Sequence, residues 1–366
     1  MKRLLIIGSF PPPLNGMTIS NRMALKYFLG LENVKVRVFD VFGAPKIKPK
    51  NMQGIFSFSV FIKSFFENSR MVKEIILNFR GHVYIVPGQS VFGFLRFAPA
   101  ILVASIFARS VSIHVHGSRF ADYLNKSPFF LRLICRIILK RVDNVIALTP
   151  NLAALFNEKL DICSSTYCYN GADIPCQYDE SLKYQKRTIE CIFLSNLMKD
   201  KGVLDLLEAV VRANKEGISV FLHLAGEIEA GLEDSVYKYL VAYPEILEYH
   251  GPVSGFDKDS LLYKSSIFIL PSYDEGVPIS LLEAYANGCA VITTEVGGIP
   301  EVFQNVKNGF FCKPGDPISI VDSIRRLESD RSVLQEIGRS NRVYATKNFS
   351  RQSFGSRLVE IIFSGD

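Results

Sequence analysis

No stretch of this chain is long and apolar enough to span a bilayer. The longest apolar run, Phe97–Ala108, falls well short of the roughly 20 residues a helix needs and carries Pro99 near its start. Met1-Lys2-Arg3 is followed by only Leu4–Ile7 before glycine, serine and three prolines, which does not read as a signal peptide. No repeat of solenoid period and no low-complexity segment appears. The seven cysteines (135, 163, 168, 176, 191, 289 and 312) are odd in number and include no C-x-x-C pair. No histidine stands at zinc-site spacing from Cys163, Cys168 and Cys176, so reduced thiols in a cytosolic protein are expected. Zinc-finger spacing, an RNP-like strand and basic-zipper heptads are all missing, so nucleic acid is not an expected partner.

What remains is 366 residues, 48% hydrophobic and 21% charged, enough for two domains with full cores. The net charge of +6 conceals a division. Residues 1–170 hold 22 Lys+Arg against 8 Asp+Glu, a net +14, which leaves −8 for the remainder. A basic half joined to an acidic half implies that only the first meets an anionic surface or partner. Plain solubility of that half is the competing reading.

Leu4–Ile7 reads as a short buried strand, followed by the loop Ser9–Gly16 and a helix from about Thr18 to Leu29. The prolines of that loop exclude a G-x-G-x-x-G turn. Val34–Phe39, Val83–Val86, Val111–Val115 and Val145–Leu148 read as further strands, with helices most evident over Phe61–Phe79 and Pro128–Lys140. After a polar linker, Pro175–Thr188, the pattern restarts with strands Cys191–Leu194, Val220–Leu224, Ile267–Leu270, Ala290–Thr294 and Gly309–Cys312. Such alternation specifies parallel sheets with helices on both faces, in two doubly wound α/β domains, 1–173 and 174–349. Ligands of that architecture bind at the carboxyl ends of the strands, here expected in a cleft between the domains.

The most informative segment runs from Tyr273 to Thr294. Pro278 fits a first helical turn, Ile279–Ala286 continues as helix, and Asn287-Gly288 ends it. The unpaired amides of about Ile279, Ser280 and Leu281 would point out of a helix end carrying roughly half a positive charge, a seat for phosphate. Glu275 precedes that end and Glu283 lies more than a turn beyond it. Two carboxylates so placed can grip hydroxyls on either side of a diphosphate, which is the shape of a sugar nucleotide. An acidic loop and a helix-face glutamate at accidental spacing is the alternative.

This segment resembles the E-x7-E motif of retaining glycosyltransferases of family 4, and further matches run along almost the whole chain. The resemblance implies the GT-B fold, with the segment around Gly276 and the helix start beneath the donor diphosphate. It also implies a closing helix, about 350–366, that packs back on the first domain. Glu275 is implied to contact the transferred sugar and Glu283 the nucleoside ribose. Ser195–Gly202 resembles the family's Gly-Arg-Leu…Lys-Gly segment: Lys201 matches a phosphate-binding lysine, while Asn196 stands where the family has arginine. Asn15-Gly16 occupies the place of a double glycine, where Gly16 lets the backbone approach phosphate and Asn15 tolerates left-handed geometry. Gly251–Asp257 matches a nucleobase-holding segment, with Val253 the expected contact.

His114 and His116 end a strand on the same side, and periodicity does not choose between them. The resemblance favours His116, beside the transferred sugar. Asp257-Lys258-Asp259 looks superficially like a D-x-D metal motif, but Asp257 reads as the cap of a helix Ser260–Lys264, so no divalent metal is expected in catalysis. Two basic-apolar segments bear on an acceptor or a membrane. Lys46, Lys48 and Lys50 precede Phe56, Phe58, Phe61, Phe65 and Phe66, and either reading fits them. Arg132, Arg136 and Lys140 line an otherwise apolar helix, which is expected to bury itself against the sheet with one wet edge.

The expected activity is metal-independent transfer of a sugar, with retention, from a UDP-, GDP- or other nucleoside-diphosphate sugar to a glycan hydroxyl. The acceptor is expected to be lipid-linked and to serve cell-surface polysaccharide or lipopolysaccharide synthesis. The enzyme would need no further cofactor and would be cytoplasmic, peripheral on the inner face of an anionic membrane. A sugar-nucleotide epimerase on the same fold, or a catalytically silent nucleotide-sugar-binding scaffold, are the alternatives.

Overall fold

The computed structural model describes residues 1–41, 58–117, 119–162, 165–176, 181–184 and 186–365, without side-chain detail for 58–65 and 181–182. The basic-apolar segment of Lys46, Lys48, Lys50 and Phe56 lies outside the described residues, as do the side chains of Phe58, Phe61 and Phe65. Two compact units emerge. The first takes the described residues from Met1 to Gly171 and from Arg351 onward; the second is Ala172–Ser350.

In the first unit, six parallel strands are β1 (Lys2–Gly8), β2 (Val34–Asp40), β3 (His82–Ile85), β4 (Ser110–His114), β5 (Asn144–Ala147) and β6 (Ser165–Tyr167), in the order β2-β1-β3-β4-β5-β6. Leu4 to Ile7 are completely buried, as a parallel strand covered on both faces by helices must be. The edge strand β2 instead exposes Lys35 and half-exposes Arg37, charges that discourage pairing with another chain. The helix Arg351–Ile362 belongs to this unit. Its Phe354, Leu358, Ile361 and Ile362 share a core with Leu4, Ile6, Met23 and Phe28. A Cβ at Gly355 would lie 2.1 Å from the Tyr27 ring, so only glycine lets this helix approach so closely.

In the second unit the strands are β7 (Ile189–Leu194), β8 (Val220–Ala225), β9 (Leu247–Tyr249), β10 (Ile267–Leu270), β11 (Ala290–Thr294) and β12 (Gly309–Cys312). Their order is β12-β11-β10-β7-β8-β9, so chain direction across the sheet reverses between β7 and β10. The expected linker contains a short helix, Ser181–Tyr184. Buried Lys183 donates to the Asn287 carbonyl at 2.5 Å, Tyr184 Oη to that of Gly288 at 2.7 Å, and Arg342 to that of Ala286. Three side chains thus satisfy the carboxyl end of the helix Ile279–Ala286, which would otherwise leave buried acceptors unpaired.

Three local expectations are corrected. Asn15 is extended (φ −150°) rather than left-handed; it caps a helix that begins at Gly16, exchanging hydrogen bonds with Thr18. The helix expected at Ser260 begins at Gly255, so Asp257 sits inside its first turn and caps nothing. The helix Phe129–Leu139 does not bury its apolar face. Only Cys135, Ile138 and Leu139 turn inward, while Phe129, Phe130, Leu133, Ile134 and Ile137 are exposed, the first two by 69% and 60%. Among the described residues, no helix is long and apolar enough to cross a membrane. The described cysteines are free, and all but Cys176 are buried.

Candidate functional site

A reversal of strand order opens a crevice at the carboxyl ends of the two strands that flank it. In the second unit these are β7 and β10. They pair at Cys191–Ile267 and Ile192–Phe268, and this pairing stops two residues short of either strand's end. The segments leaving them carry Asn196 and Lys201 on one side and Glu275 on the other.

Glycines hold these segments together. After β7 the chain makes a 3-10 turn over Lys199–Lys201 and passes through Gly202 at φ +71° into the helix Val203–Lys215. A Cβ on Gly202 would lie 2.2 Å from the Pro271 carbonyl oxygen, so the two loops touch backbone to backbone. Tyr273 N–H donates to Asp200 O at 2.9 Å and reinforces the contact. On the far side Gly297, at φ +55°, leaves only 1.7 Å between a would-be Cβ and the Glu275 carbonyl oxygen. Gly298 N–H donates to the carbonyls of Glu275 and Gly276 at 3.2 and 3.1 Å.

The result is a fixed carboxylate. Glu275 is 8% exposed, and its Oε1 accepts from Lys201 Nζ at 2.5 Å and from Ser272 Oγ at 2.8 Å. Thr294 Oγ1 in turn donates to the Ser272 carbonyl at 2.6 Å. A buried carboxylate needs such partners, since its desolvation is otherwise uncompensated. Asn196 accepts from the Glu227 N–H at 3.4 Å and so ties the loops after β7 and β8 together.

Three residues beyond Glu275, Pro278 occupies the N-cap of the helix Ile279–Ala286, one place earlier than its sequence suggests. Proline offers no capping oxygen, and among the described residues no side chain caps this helix. The first-turn amides of Ile279, Ser280 and Leu281 therefore meet the dipole's positive end without a side-chain acceptor. Within the helix, buried Glu283 pairs with Lys258. Burial pushes the Glu283 carboxyl up, against the pull of Lys258; the Lys258 ammonium, which burial would lower, is held up by Glu283. Sequence does not single out Lys258, because it lies within Asp257-Lys258-Asp259 and its helix begins at Gly255, earlier than the pattern suggests. Val253 is half-buried in the turn between β9 and the helix Gly255–Lys264, near Gly251, whose carbonyl accepts from Gly226 N–H at 2.9 Å.

His116 and Gly16 lie in the first unit, after the carboxyl ends of β4 and β1. The histidines differ in environment. His114 is fully buried with Nδ1 2.6 Å from Tyr84 Oη. His116 stacks on it, ring centroids 4.2 Å apart, and its buried Nε2 has no hydrogen-bond partner among the described residues. Burial pushes His116 down to about 4 and His114 well below its ordinary value, so both are neutral at pH 7. Gly16, by contrast, has open space where a Cβ would stand.

Two sheets of this topology, flanked by helices, define an α/β protein of the GT-B class. The solved structures agree along the whole chain. A sucrose-phosphate synthase from Thermosynechococcus elongatus superposes with a TM-score of 0.76 at 15% identity, covering 100% of both chains. Anabaena Alr3699/HepE in complex with UDP does so with a TM-score of 0.74 at 16% identity, again over 100% of both.

Sequence comparison reaches the second unit. Residues 177–344 match the family model of group 1 glycosyl transferases. Over 171 residues the chain is 27% identical to the capsular polysaccharide biosynthesis glycosyltransferase CapM of Staphylococcus aureus, which spans 45% of this chain and 43% of that protein. The matches span less than half the length of the first curated relatives.

Proposed function

We propose that the chain is a retaining glycosyltransferase of the family 4 type, using a nucleoside-diphosphate sugar such as a UDP- or GDP-sugar. The observation that carries this reading is the Lys201–Glu275 pair beside the uncapped start of the helix Ile279–Ala286. A diphosphate seated on the amides of Ile279, Ser280 and Leu281 would draw Lys201 toward it, and the negative charge that develops as it leaves is stabilised there. Glu275, released from that lysine and still held by Ser272, then faces the sugar hydroxyls. The backbone at Gly276 lines the same turn.

Glu283 is assigned to the ribose, with Lys258 keeping it in place, and the Val253 turn to the nucleobase. Asn196 supports the loop in place of a second cation. The roles of Gly16 toward phosphate and of neutral His116 toward the sugar or acceptor rest on the family resemblance. The favoured mechanism is front-face displacement: the acceptor hydroxyl attacks from the side the diphosphate vacates, its proton passing to the departing oxygen. Neither a metal nor a further cofactor enters this scheme.

Two features support a lipid-linked acceptor in polysaccharide or lipopolysaccharide synthesis. Relatives such as CapM carry polysaccharide assembly in their names. The first 170 residues are strongly basic, and the helix Phe129–Leu139 presents exposed phenylalanines and isoleucines alongside Arg132, Arg136 and Lys140, a composition suited to the face of an anionic membrane. A cytoplasmic protein peripheral on the inner membrane face is the corresponding location. The test is incubation with a panel of labelled sugar nucleotides. Slow hydrolysis or transfer of one donor supports the reading; isomerised nucleotide, or binding without turnover at any acceptor, opposes it.

A further inference from the structure

At the outer side of the second sheet, away from the Lys201–Glu275 pair in strand order, three ligand-type side chains converge. His223 on β8 stands directly opposite Glu248 on β9 in the strand register. His250 follows two residues after Glu248 and so shares its face. His223 Nδ1 lies 3.0 Å from His250 Nε2 and 3.3 Å from Glu248 Oε2, and His250 Nε2 lies 3.4 Å from the same oxygen.

Protons alone serve this triangle poorly. A single N–H placed on one edge leaves two lone pairs facing each other across another, and two N–H groups aimed at Glu248 would collide along the 3.0 Å edge. A cation satisfies all three at once. Zinc bonds of about 2.0–2.1 Å at tetrahedral angles separate donor atoms by about 3.3–3.4 Å, close to the observed edges.

A second observation points the same way. The other nitrogen of His223, Nε2, is buried without a hydrogen-bond partner at normal distance among the described residues, and Glu190 Oε2 faces it at 3.6 Å. Lys186 holds the opposite oxygen of Glu190. Carboxylate, imidazole and metal in line is the arrangement that fixes a ligating histidine's tautomer and ring orientation.

We propose that His223, Glu248 and His250 bind a divalent cation of the zinc class, with Glu190 as the positioning carboxylate. Glu248 is half exposed, so the fourth coordination position opens to solvent. The site joins β8 to β9 just ahead of Gly251 and Val253, and its bound cation would fix the exit of β9. It lies outside the scheme proposed for sugar transfer and stands or falls separately from it.

The test uses the full chain, stripped by chelator, dialysed and titrated with Zn²⁺ and, separately, Co²⁺. The expected result is one equivalent bound, the intense visible bands of tetrahedral Co²⁺, and a Tm raised by about 5 °C or more at a hundredfold excess over Kd. E248Q and H250Q, at exposed or partly exposed positions where folding is little affected, should each weaken binding at least tenfold. E190Q should weaken it by about 10–100-fold while leaving one equivalent of binding at saturation. A C176S variant should bind as the parent does. Stoichiometric binding unchanged in E248Q and H250Q, binding lost in C176S, or no binding at all would overturn the proposal.

Discussion

Replacing either member of the Lys201–Glu275 pair should have unequal consequences for stability and the same consequence for activity. In Lys201→Met the Glu275 carboxylate, 8% exposed, loses its cation and keeps only the Ser272 hydroxyl. Removing one partner of a fully buried pair costs about 3–5 kcal/mol. The Lys201 side chain is 24% exposed, so water screens part of this and about 2–3 kcal/mol is expected. For a unit of this size the melting midpoint should fall by about 5–10 °C. Glu275→Gln keeps the shape and an acceptor for Ser272, and leaves a lysine able to turn to water, so its cost should stay within about 1 kcal/mol. Both variants should lose about 10²–10³-fold in transfer, the usual effect of deleting one preorganised charge contact. Differential scanning calorimetry and a radiolabelled transfer assay read both quantities. A Lys201→Met as stable as the parent, or a Glu275→Gln with near-parental turnover, would show that the pair does not have these roles.

Other outcomes follow from the same geometry. Gly297→Ala forces a side chain onto the Glu275 carbonyl at a left-handed φ, which alone costs about 1–3 kcal/mol; thermal melts should show the loss, and donor binding should weaken because the Glu275 turn must move. For His116, burial lowers the folded value to about 4 against about 6.5 when unfolded, so the unfolded state binds the extra proton first. Stability should therefore be full above about pH 6.5 and fall by about 3 kcal/mol as pH drops toward 4. His116→Gln should flatten that slope in urea melts taken across the range, and an unchanged slope would remove His116 as its source. Phe130→Glu with Ile137→Glu should abolish flotation with anionic liposomes at moderate salt while leaving Tm nearly unchanged, because both side chains are exposed. Equal flotation by parent and variant would exclude this helix as the contact.

Much of the fold was legible because buried parallel strands are short apolar runs between turn signals. Ile267–Leu270, Ala290–Thr294 and Gly309–Cys312 have the bounds expected of them. Strand β6, Ser165–Tyr167, escaped because it is short, polar at its start and only half-buried. The start of the helix Gly255–Lys264 is hidden in the sequence because glycine and the exposed Phe256 open it, and neither shows a helical period. Apolar spacing says that Phe129–Leu139 is amphipathic, but which face meets the sheet depends on neighbours far along the chain. The positions of Glu275 and Glu283 about a helix start were visible in their spacing. Their lysine partners were not, since Lys201 and Lys258 lie 74 and 25 residues away from them. Nor could any spacing reveal that His223 and Glu248 are register partners on adjacent strands.

The central claim is that main-chain amides at the start of the helix Ile279–Ala286 hold a pyrophosphate beside Glu275. A crystal structure of the chain with a nucleoside diphosphate bound tests it directly. Phosphate oxygens are expected within hydrogen-bond reach of the Ile279, Ser280 and Leu281 amides, with Lys201 turned from Glu275 toward them. A nucleotide bound elsewhere, with the Lys201–Glu275 pair intact and that helix end untouched, would contradict it.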